Sequence, residues 1–321
     1  MDASTNIRTL VDRLAGRLAD APQYQNQGAT LFVDLERRET RRKYLPTGVL
    51  ENFLGSRGAN MFLLYNLLQE DRDALDPEVP LIYGNGTLTS YMPSATRGNF
   101  TGRSPDSYAI LDTNGGDYFP AFLKRHGYDH LVLYGCAPQW TVLKIAHEKI
   151  EFLDATPYVG TDNIDFTAAI ERDFQCEERK DMAMARITSA GENLVLCSGI
   201  MGGPKAIWAR GGGGAKMGAL RLKAIMVHGK PEKGEPASPS TKPTTRRSAR
   251  RSPAPRSYAT RSRWWAPRSC TSPVACSARS APRTIRRPPG SVRWMRTTST
   301  RTGRAWTAAS NARCNAAPGT T

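Results

Sequence analysis

Acidic and large apolar residues become scarce after Glu235 in this 321-residue chain, and that change constrains its fold more than any motif. From Pro236 to Thr321 there is no Asp, Glu, Leu or Phe, while 17 Arg and one Lys give this segment a charge of +18. The whole chain carries +16, so residues 1–235 carry −2. A segment this poor in apolar residues cannot bury enough surface to offset the entropy of folding. The sequence therefore predicts a disordered tail over residues 231–321.

Three explanations account for the tail. Arg, Ala, Pro, Ser, Thr, Cys and Trp are the residues that a GC-rich coding region yields when it is translated out of frame, and the abrupt change favours this explanation. A natural low-complexity segment is the second. In the third, the arginines neutralise nucleic-acid phosphates and tryptophans stack on bases, namely Trp264, Trp265, Trp294 and Trp306. The −2 charge of residues 1–235 argues against nucleic acid as a partner.

Residues 1–28 are predicted to form a helical extension ahead of a single domain over residues 29–230. Five apolar residues fall on one helical face behind a Thr5/Asn6 cap, over residues 5–20: Ile7, Leu10, Val11, Leu14 and Leu18. Residues 29–230 are numerous enough for one domain with a hydrophobic core. No apolar run approaches the roughly 20 residues that a membrane-spanning helix needs. Without a signal-peptide pattern, the chain is expected to be cytoplasmic and to have no membrane contact.

Short apolar runs predict many strands with few helices between them. The strands are predicted at residues 30–35, 81–83, 99–102, 108–111, 131–134, 141–145, 149–153, 182–187, 194–200 and 224–227. Helices are predicted at residues 54–68, 118–125 and 162–174, the last capped by Thr161. This order predicts an α+β domain that is rich in β-sheet and built on antiparallel or mixed sheets.

Two glycine clusters and one arginine are the candidate binding residues. Residues 211–214 are glycines behind Arg210, and they can form a nest of N–H donors for an anion, with a helix start at residues 217–222; a flexible turn is the alternative. Asn114-Gly115-Gly116 is typical of a tight turn. Arg97 lies among small residues, where composition alone indicates a solvated charge. The cysteines before the tail are expected to be reduced and the histidines to be isolated and structural.

Several blocks of residues follow one another in an order that carries more information than any single block. They are Leu54-Gly55-Ser56-Arg57-Gly58, residues 84–89, residues 93–97 with Ser104-Pro105, residues 114–119, residues 123–129, Asp154-Ala155, residues 190–193, residues 210–215 with Met217-Gly218, and residues 222–225. Together, from about Ala29 to Lys230, they resemble the N-terminal domain of tungsten-containing aldehyde ferredoxin oxidoreductases.

The resemblance implies a saddle of β-sheets under a tungsten or molybdenum ion held by two pterins, with magnesium at the pterin phosphates. Eight residues in three segments match cofactor-binding positions: Arg97; Asn114, Gly115 and Gly116; and Ile207, Ala209, Arg210 and Gly211. The first segment matches the arginine between a pterin and the iron–sulfur cluster. The second matches the turn at the phosphates and magnesium, and the third matches the second glycine-rich pterin loop. No residue is predicted to be catalytic or to ligate a metal.

The chain departs from the family pattern in three places. Ala206-Ile207-Trp208-Ala209 stands where many members have a basic residue followed by Ala-Ala-Gly, so one phosphate contact is lost unless Lys205 replaces it. Asp117 adds an acid near an anion site and is expected either to point away or to meet the magnesium. The cysteine run that holds a 4Fe-4S cluster in the family has no match, because Cys270, Cys276 and Cys314 have the wrong spacing.

The resemblance implies a fragment of an aldehyde:ferredoxin oxidoreductase. Such an enzyme oxidises an aldehyde substrate to a carboxylic acid and passes the electrons through the 4Fe-4S cluster to ferredoxin or an electron-transfer subunit. One alternative is a related tungsten enzyme that acts on an aromatic acyl thioester or an oxo acid. The other is a non-enzymatic protein with a nucleic-acid-binding tail. The fragment is expected to be inactive by itself, because the chain supplies no ligands for the cluster.

Overall fold

A computed structural model describes residues 6–91, 95–203 and 206–229 of the chain. The predictions for Thr5, Lys205 and the tail over residues 231–321 lie outside the described residues. No helix in the described ranges is both long enough and apolar enough to cross a membrane.

The first of two sheets has six strands. In spatial order they are β2 (Glu39–Lys43), β1 (Ala29–Asp34), β6 (Tyr128–Tyr134), β3 (Leu81–Asn85), β4 (Gly98–Arg103) and β5 (Ile110–Gly115). β1 and β6 are parallel, and the other neighbours are antiparallel. The two edges of this sheet are therefore β2 and β5.

The second sheet also has six strands. In spatial order they are β11 (Ile207–Trp208), β10 (Ile200–Met201), β9 (Met182–Arg186), β12 (Leu222–His228), β7 (Thr141–Ala146) and β8 (Lys149–Asp154). β7 and β12 are parallel, and the other neighbours are antiparallel. The short pair β10–β11 lies at one end of this sheet.

The main hydrophobic core lies between the two sheets. It takes alternate residues from both, such as Leu131 and Leu133 on β6 and Ile225 and Val227 on β12. The outer face of the first sheet is covered by α1 (Ile7–Ala15) and α3 (Arg57–Leu67), and that of the second by α5 (Asn163–Phe174). Strands buried on both faces appear in sequence as unbroken apolar runs, as at residues 131–134.

The remaining helices are short connectors between strands. They are α2 (Thr47–Phe53), α4 (Phe119–Arg125), α6 (Ser189–Glu192), α7 (Gly213–Ala219) and a 3-10 turn at Thr156–Tyr158. Asn6 caps α1, as predicted, because its side chain accepts the Arg8 N–H at 2.8 Å. For α5 the cap is Asp162 rather than Thr161, since the Asp162 carboxylate accepts the Ile164 N–H at 2.7 Å.

The predicted α+β class with mixed sheets is confirmed, but two element predictions are wrong. Residues 194–200 are not a strand: Leu194 has a φ of 55° and its N–H bonds to Gly191, so the chain turns before β10 begins at Ile200. The helix expected at residues 217–222 spans Gly213–Ala219 instead. Gly218 lies where α7 packs closely on α6, and a Cβ on it would lie 2.0 Å from the carbonyl oxygen of Gly191.

Candidate functional site

The side chain of Trp208 joins the three segments that carry the predicted site residues. Trp208 is fully buried on β11, and its indole Nε1 donates a 2.9 Å hydrogen bond to the carbonyl oxygen of Gly98 on β4. A Cβ on Gly115, at the end of β5, would lie 2.5 Å from the indole ring, and one on Gly202 would lie 2.4 Å from it. The glycines therefore make room for the indole, which fixes the end of the second sheet against β4 and β5.

Three aromatic rings surround the indole of Trp208 edge-on. The ring centroids of Phe100, Tyr83 and Phe119 lie 5.2, 6.0 and 6.0 Å away. Edge-to-face aromatic pairs stabilise a core beyond the effect of buried area alone. Trp208, a departure from the family pattern in the sequence, is thus an inward-facing residue of the main core.

The eight predicted site residues lie together around this indole. Each lies within three positions of Gly98, Gly115 or Trp208. The side chains of Arg97, Asn114 and Arg210 are exposed, as is Ala209, and Ile207 is 45% exposed. Gly116 and Gly211 are half-buried, whereas Gly115 is buried under the indole. The structure places these residues in the three segments that the indole joins, and their contact with a cofactor stays a prediction.

The sequence Asn114-Gly115-Gly116 is not the tight turn that was predicted. Asn114 and Gly115 end strand β5 and pair with Asn99 and Gly98 on β4. Only Gly116 leaves the sheet, and a Cβ there would meet nothing closer than the Thr96 carbonyl oxygen at 3.4 Å. The backbone at Gly116 is therefore open to a ligand.

A buried polar network fixes Asn114. Asn99 Nδ2 donates to Asn114 Oδ1 at 3.2 Å and to Asp112 Oδ1 at 2.7 Å, and Asn60 Nδ2 donates to Asn99 Oδ1 at 3.2 Å. His130 Nδ1 lies 2.9 Å from Asn60 Oδ1. Burial lowers the pKa of His130 to about 4, so the ring is neutral near pH 7 and donates through Nδ1. The network engages the Asn114 oxygen and leaves its Nδ2 to donate outward.

The cations at the site are free of carboxylates. Within the described part of the chain, neither Arg97 nor Arg210 forms an ion pair. The nearby carboxylate of Asp112 is engaged elsewhere, with Oδ2 3.1 Å from Arg57 Nε. The surface between β4, β5 and β11 therefore presents positive charge and amide donors, which suits an anion with several oxygen atoms.

Asp117 forms an ion pair with Arg179. Its Oδ2 lies 2.7 Å from Arg179 Nη2, and its side chain is 10% exposed. Gly203, with a φ of 123°, packs so closely that a Cβ there would lie 2.5 Å from the same oxygen. The negative charge of Asp117 is therefore balanced by a guanidinium.

The glycine-rich loop is close-packed and is neither an open nest nor a flexible turn. A Cβ on Gly212 would lie 2.0 Å from the Leu196 carbonyl oxygen, and one on Gly211 would lie 2.7 Å from Leu111 Cδ1. Residues 212–218 are buried. Only Arg210 and Gly211 reach the surface, with the Arg210 N–H 3.4 Å from Thr113 Oγ1. Gly212 and Gly214 serve packing, because a Cβ on either would lie within 2.5 Å of a neighbouring backbone carbonyl oxygen.

Side chains that could ligate a metal do not gather in the described residues. No group of three or more His, Cys, Asp or Glu there could hold an ion. The cysteines at positions 136, 176 and 197 form no disulfide with one another. The histidines are not all isolated, since the ring centroids of His126 and His147 lie 4.5 Å apart. Burial lowers the pKa of His126 and of His228.

The donor set fits the phosphate end of a pterin cofactor. Guanidinium groups, a carboxamide and open backbone N–H groups bind phosphate oxygens, and a metal held by pterin sulfurs needs no ligand from these residues. Sequence reasoning missed Trp208, Asn99 and Arg179 as parts of this site. Gly98, Gly115 and Gly202 were the available signal, because glycines on separate strands indicate a large side chain packed between them.

Residues 30–229 match the family model described as aldehyde ferredoxin oxidoreductase, N-terminal domain. The tungsten-containing aldehyde ferredoxin oxidoreductase of Pyrococcus furiosus is 36% identical over 207 residues, which are 64% of this chain and 34% of that protein. The enzyme of the same description from Thermococcus kodakarensis is 34% identical over 207 residues, with the same two shares. The chain thus spans about a third of the length of these relatives.

Two further relatives widen the comparison. An aliphatic sulfonate oxidoreductase, WOR-like subunit, of Pyrococcus furiosus is 31% identical over 218 residues, which are 64% of this chain and 35% of that protein. Among solved structures, the active-site complex BamBC of benzoyl coenzyme A reductase, in complex with 1,5-dienoyl-CoA, superposes with a TM-score of 0.60 at 30% identity. The match covers 63% of this chain and 31% of that chain. Because the family model matches more than half of its length, the chain belongs to the aldehyde ferredoxin oxidoreductase family of oxidoreductases.

Proposed function

We propose that the domain matched over residues 30–229 holds the phosphate end of a tungsten or molybdenum pterin cofactor in an oxidoreductase. The observation that carries the proposal is the convergence on Trp208 of three segments that expose a carboxamide and two guanidinium groups, neither of which has an ion pair among the described residues. The tungsten-containing relatives support the choice of cofactor.

Five residues bind the phosphates through polar groups. The guanidinium groups of Arg97 and Arg210 contact phosphate oxygens through paired N–H donors. Asn114 would donate through Nδ2, and its Oδ1 would offer its second lone pair to a magnesium ion at the phosphates. The N–H groups of Gly116 and Gly211 donate beside them. This division follows from which polar groups the structure leaves exposed or open.

The other three candidates shape the surface. Ile207 offers an exposed apolar side chain and Ala209 a small one, which allows a flat pterin ring to approach. Gly115 acts from below, because its lack of a side chain admits the indole of Trp208. Replacement of any of the three would change the shape of the surface offered to the cofactor more than the charge of that surface.

The proposed reaction is the oxidation of an aldehyde to a carboxylic acid. When bound, the tungsten pterin supplies the two-electron chemistry that converts aldehyde and water to acid, two protons and two electrons. In the proposed complete enzyme, which would be cytoplasmic, the electrons would leave by way of a 4Fe-4S cluster to ferredoxin or an electron-transfer subunit. The resemblance assigns the cluster and the substrate channel to parts of the relatives that this chain does not match.

The chain by itself is proposed to be inactive toward aldehydes. Its sequence has no cysteine run with the spacing of a cluster site, so electrons have no route from the cofactor. Turnover of an aldehyde with a viologen acceptor by the purified chain would contradict this part of the proposal.

A second substrate class is favoured by one comparison. The solved relative of 30% identity is described as a benzoyl coenzyme A reductase, which makes an aromatic acyl thioester or an oxo acid the alternative substrate. The eight site residues serve either reaction, because their proposed contacts are with the cofactor rather than with the substrate.

Cofactor retention tests the proposal directly. The chain is produced in a host that makes the tungsten pterin, and tungsten, molybdenum and oxidised pterin are quantified in the purified protein. We expect the unmodified chain to retain metal and pterin, and the double variant Arg97→Ala/Arg210→Ala to lose most of both. Arg37→Ala is the matched control, because it removes an exposed arginine from the turn between β1 and β2. Equal cofactor content in the chain and its double variant, or none in either, would overturn the proposal.

A further inference from the structure

The loop between α5 and β9 carries an arginine to the site from a third part of the chain. Glu178 anchors this loop: its carboxylate pairs with the buried guanidinium of Arg186, and its N–H donates to Glu171 Oε1 at 2.8 Å. The next residue, Arg179, donates its N–H to the Met182 carbonyl oxygen at 2.7 Å. The loop therefore fixes the backbone from which the Arg179 side chain extends.

The guanidinium of Arg179 is oriented by two residues that follow the open glycine of the site. Nη2 lies 2.7 Å from Asp117 Oδ2, and Cζ lies 5.3 Å from the centroid of the Tyr118 ring. The Nε atom is buried and donates to no group in the described residues. The side chain remains 33% exposed. Asp117 is bonded to a single nitrogen of the guanidinium, so further N–H donors remain for a second partner.

The guanidinium lies beside the turn at Gly116 and the hairpin that leads to β11. Asp117 directly follows Gly116, and its carboxylate packs on Gly203, the residue after the Gly202 that flanks the indole. Gly202 donates its N–H to the Ala206 carbonyl oxygen, which closes this hairpin. Arg179 brings a cation to the junction of the Gly116 turn with this hairpin.

We infer that Arg179 is an additional anion-binding residue, which donates to a phosphate oxygen of the group that Arg97 and Arg210 hold. Asp117 positions the guanidinium, and its own negative charge is cancelled by the ion pair. The inference rests on the proposed function, because it assumes an anion on this surface. Arg179 has a φ of 76°, in a turn that its own N–H bond to the Met182 carbonyl oxygen closes, so the loop sets this backbone. The binding role is inferred from the guanidinium donors that Asp117 leaves open.

Inorganic pyrophosphate is the probe, and hydrogen–deuterium exchange of the full chain is the readout. A local readout is needed because the 17 arginines of the tail also attract phosphate. In the unmodified chain, pyrophosphate is expected to protect peptides that contain residues 113–119 and 206–212. The apparent Kd for that protection is expected to rise about tenfold in Arg179→Ala, as for loss of a charged hydrogen bond. Lys180→Ala is the matched control, since Lys180 lies in the same loop, pairs with Glu177 and should leave the Kd unchanged.

Further variants separate binding from neutralisation and from folding. If Arg179 only neutralised Asp117, the double variant Asp117→Asn/Arg179→Ala would recover the original Kd, and this recovery would overturn the inference. Arg179→Gly adopts the left-handed backbone without strain and is expected to raise the Kd by the same factor of about ten. The test therefore stands even if Arg179→Ala folds poorly. An unchanged Kd in Arg179→Gly alongside a raised Kd in Arg97→Ala and Arg210→Ala would sink this inference alone. An unchanged Kd in all of these variants would sink the proposed function with it.

Discussion

The two edges of the first sheet both carry cations, yet only one has the features of a binding site. On β2, each cation has an acidic partner: Arg41 with Asp12 at 2.6 Å, Arg42 with Glu148 at 3.2 Å, and Lys43 with Asp20. At the other edge, where β4 and β5 meet β11, Arg97 and Arg210 have no acidic partner among the described residues. Charge alone therefore does not identify a site. Unpaired charge beside backbone that only glycine allows is the more specific sign.

The largest effect is expected where the second edge is assembled. Trp208→Ala removes the indole that joins β11 to β4 and β5, and it leaves a cavity lined by aromatic rings. A buried Trp to Ala change lowers the free energy of unfolding by about 3–5 kcal/mol. Urea denaturation of the variant measures this loss. Arg42→Ala on β2 is the comparison, with an expected change of less than about 1 kcal/mol. Equal losses in the two variants would remove the distinction between the edges.

Acid is expected to weaken the site edge through His130. Its pKa is about 4 in the folded protein and about 6.5 when unfolded, so between these values only the unfolded chain binds the proton. The contribution of His130 to the free energy of unfolding is complete above pH 6.5, is lost as the pH falls toward 4, and totals on the order of 3 kcal/mol. Urea midpoints measured from pH 7 to pH 4.5 test this, and His130→Gln should show a shallower loss. His126 and His228 remain in both proteins, so equal slopes would rule out the contribution of His130.

Freeing the cations of β2 provides the sharpest test of the comparison. The triple variant Asp12→Asn/Asp20→Asn/Glu148→Gln leaves Arg41, Arg42 and Lys43 without their acids. We expect no pyrophosphate protection at β2 by hydrogen–deuterium exchange, because its cations are not gathered beside open glycine backbone. Protection at β2 as tight as at residues 113–119 would show that charge alone suffices.

The smallest effects are expected from single arginines at the site. Arg97→Ala and Arg210→Ala each remove an exposed side chain that has no ion pair in the described structure, so the free energy of unfolding should change by less than about 0.5 kcal/mol. Thermal or urea unfolding checks this. A loss several times larger in either variant would assign that arginine to folding rather than to binding.

The apolar runs predicted most of the fold because strands buried on both faces have few alternatives. Residues 131–134, 141–145 and 182–187 were correctly predicted as strand segments, and the mixed sheets followed from their order. Leu194 and the glycines of α7 misled the prediction. Their conformations are decided by contacts between α6 and α7, which no local pattern contains.

The candidate site was predictable in its parts but not in its assembly. Ordered blocks identified the eight residues, while Trp208 was read only as a departure from a pattern. Its role depends on Gly98 and Gly115, which lie on strands of the other sheet. The partnership of Arg179 with Asp117 spans 62 residues and has no sequence signature. Contacts of this kind can be recognised only in the three-dimensional structure, because the two residues are far apart in the sequence.

The hydrogen bond from Trp208 to Gly98 joins residues 110 positions apart, and this separation sets an order of events. Contacts distant in sequence form late, and synthesis delivers the N-terminal partner first. Arg97 and Asn114 leave the ribosome well before the strand that completes their surface. A site that uses all three segments is therefore complete only after residue 208 has been synthesised and both sheets have folded.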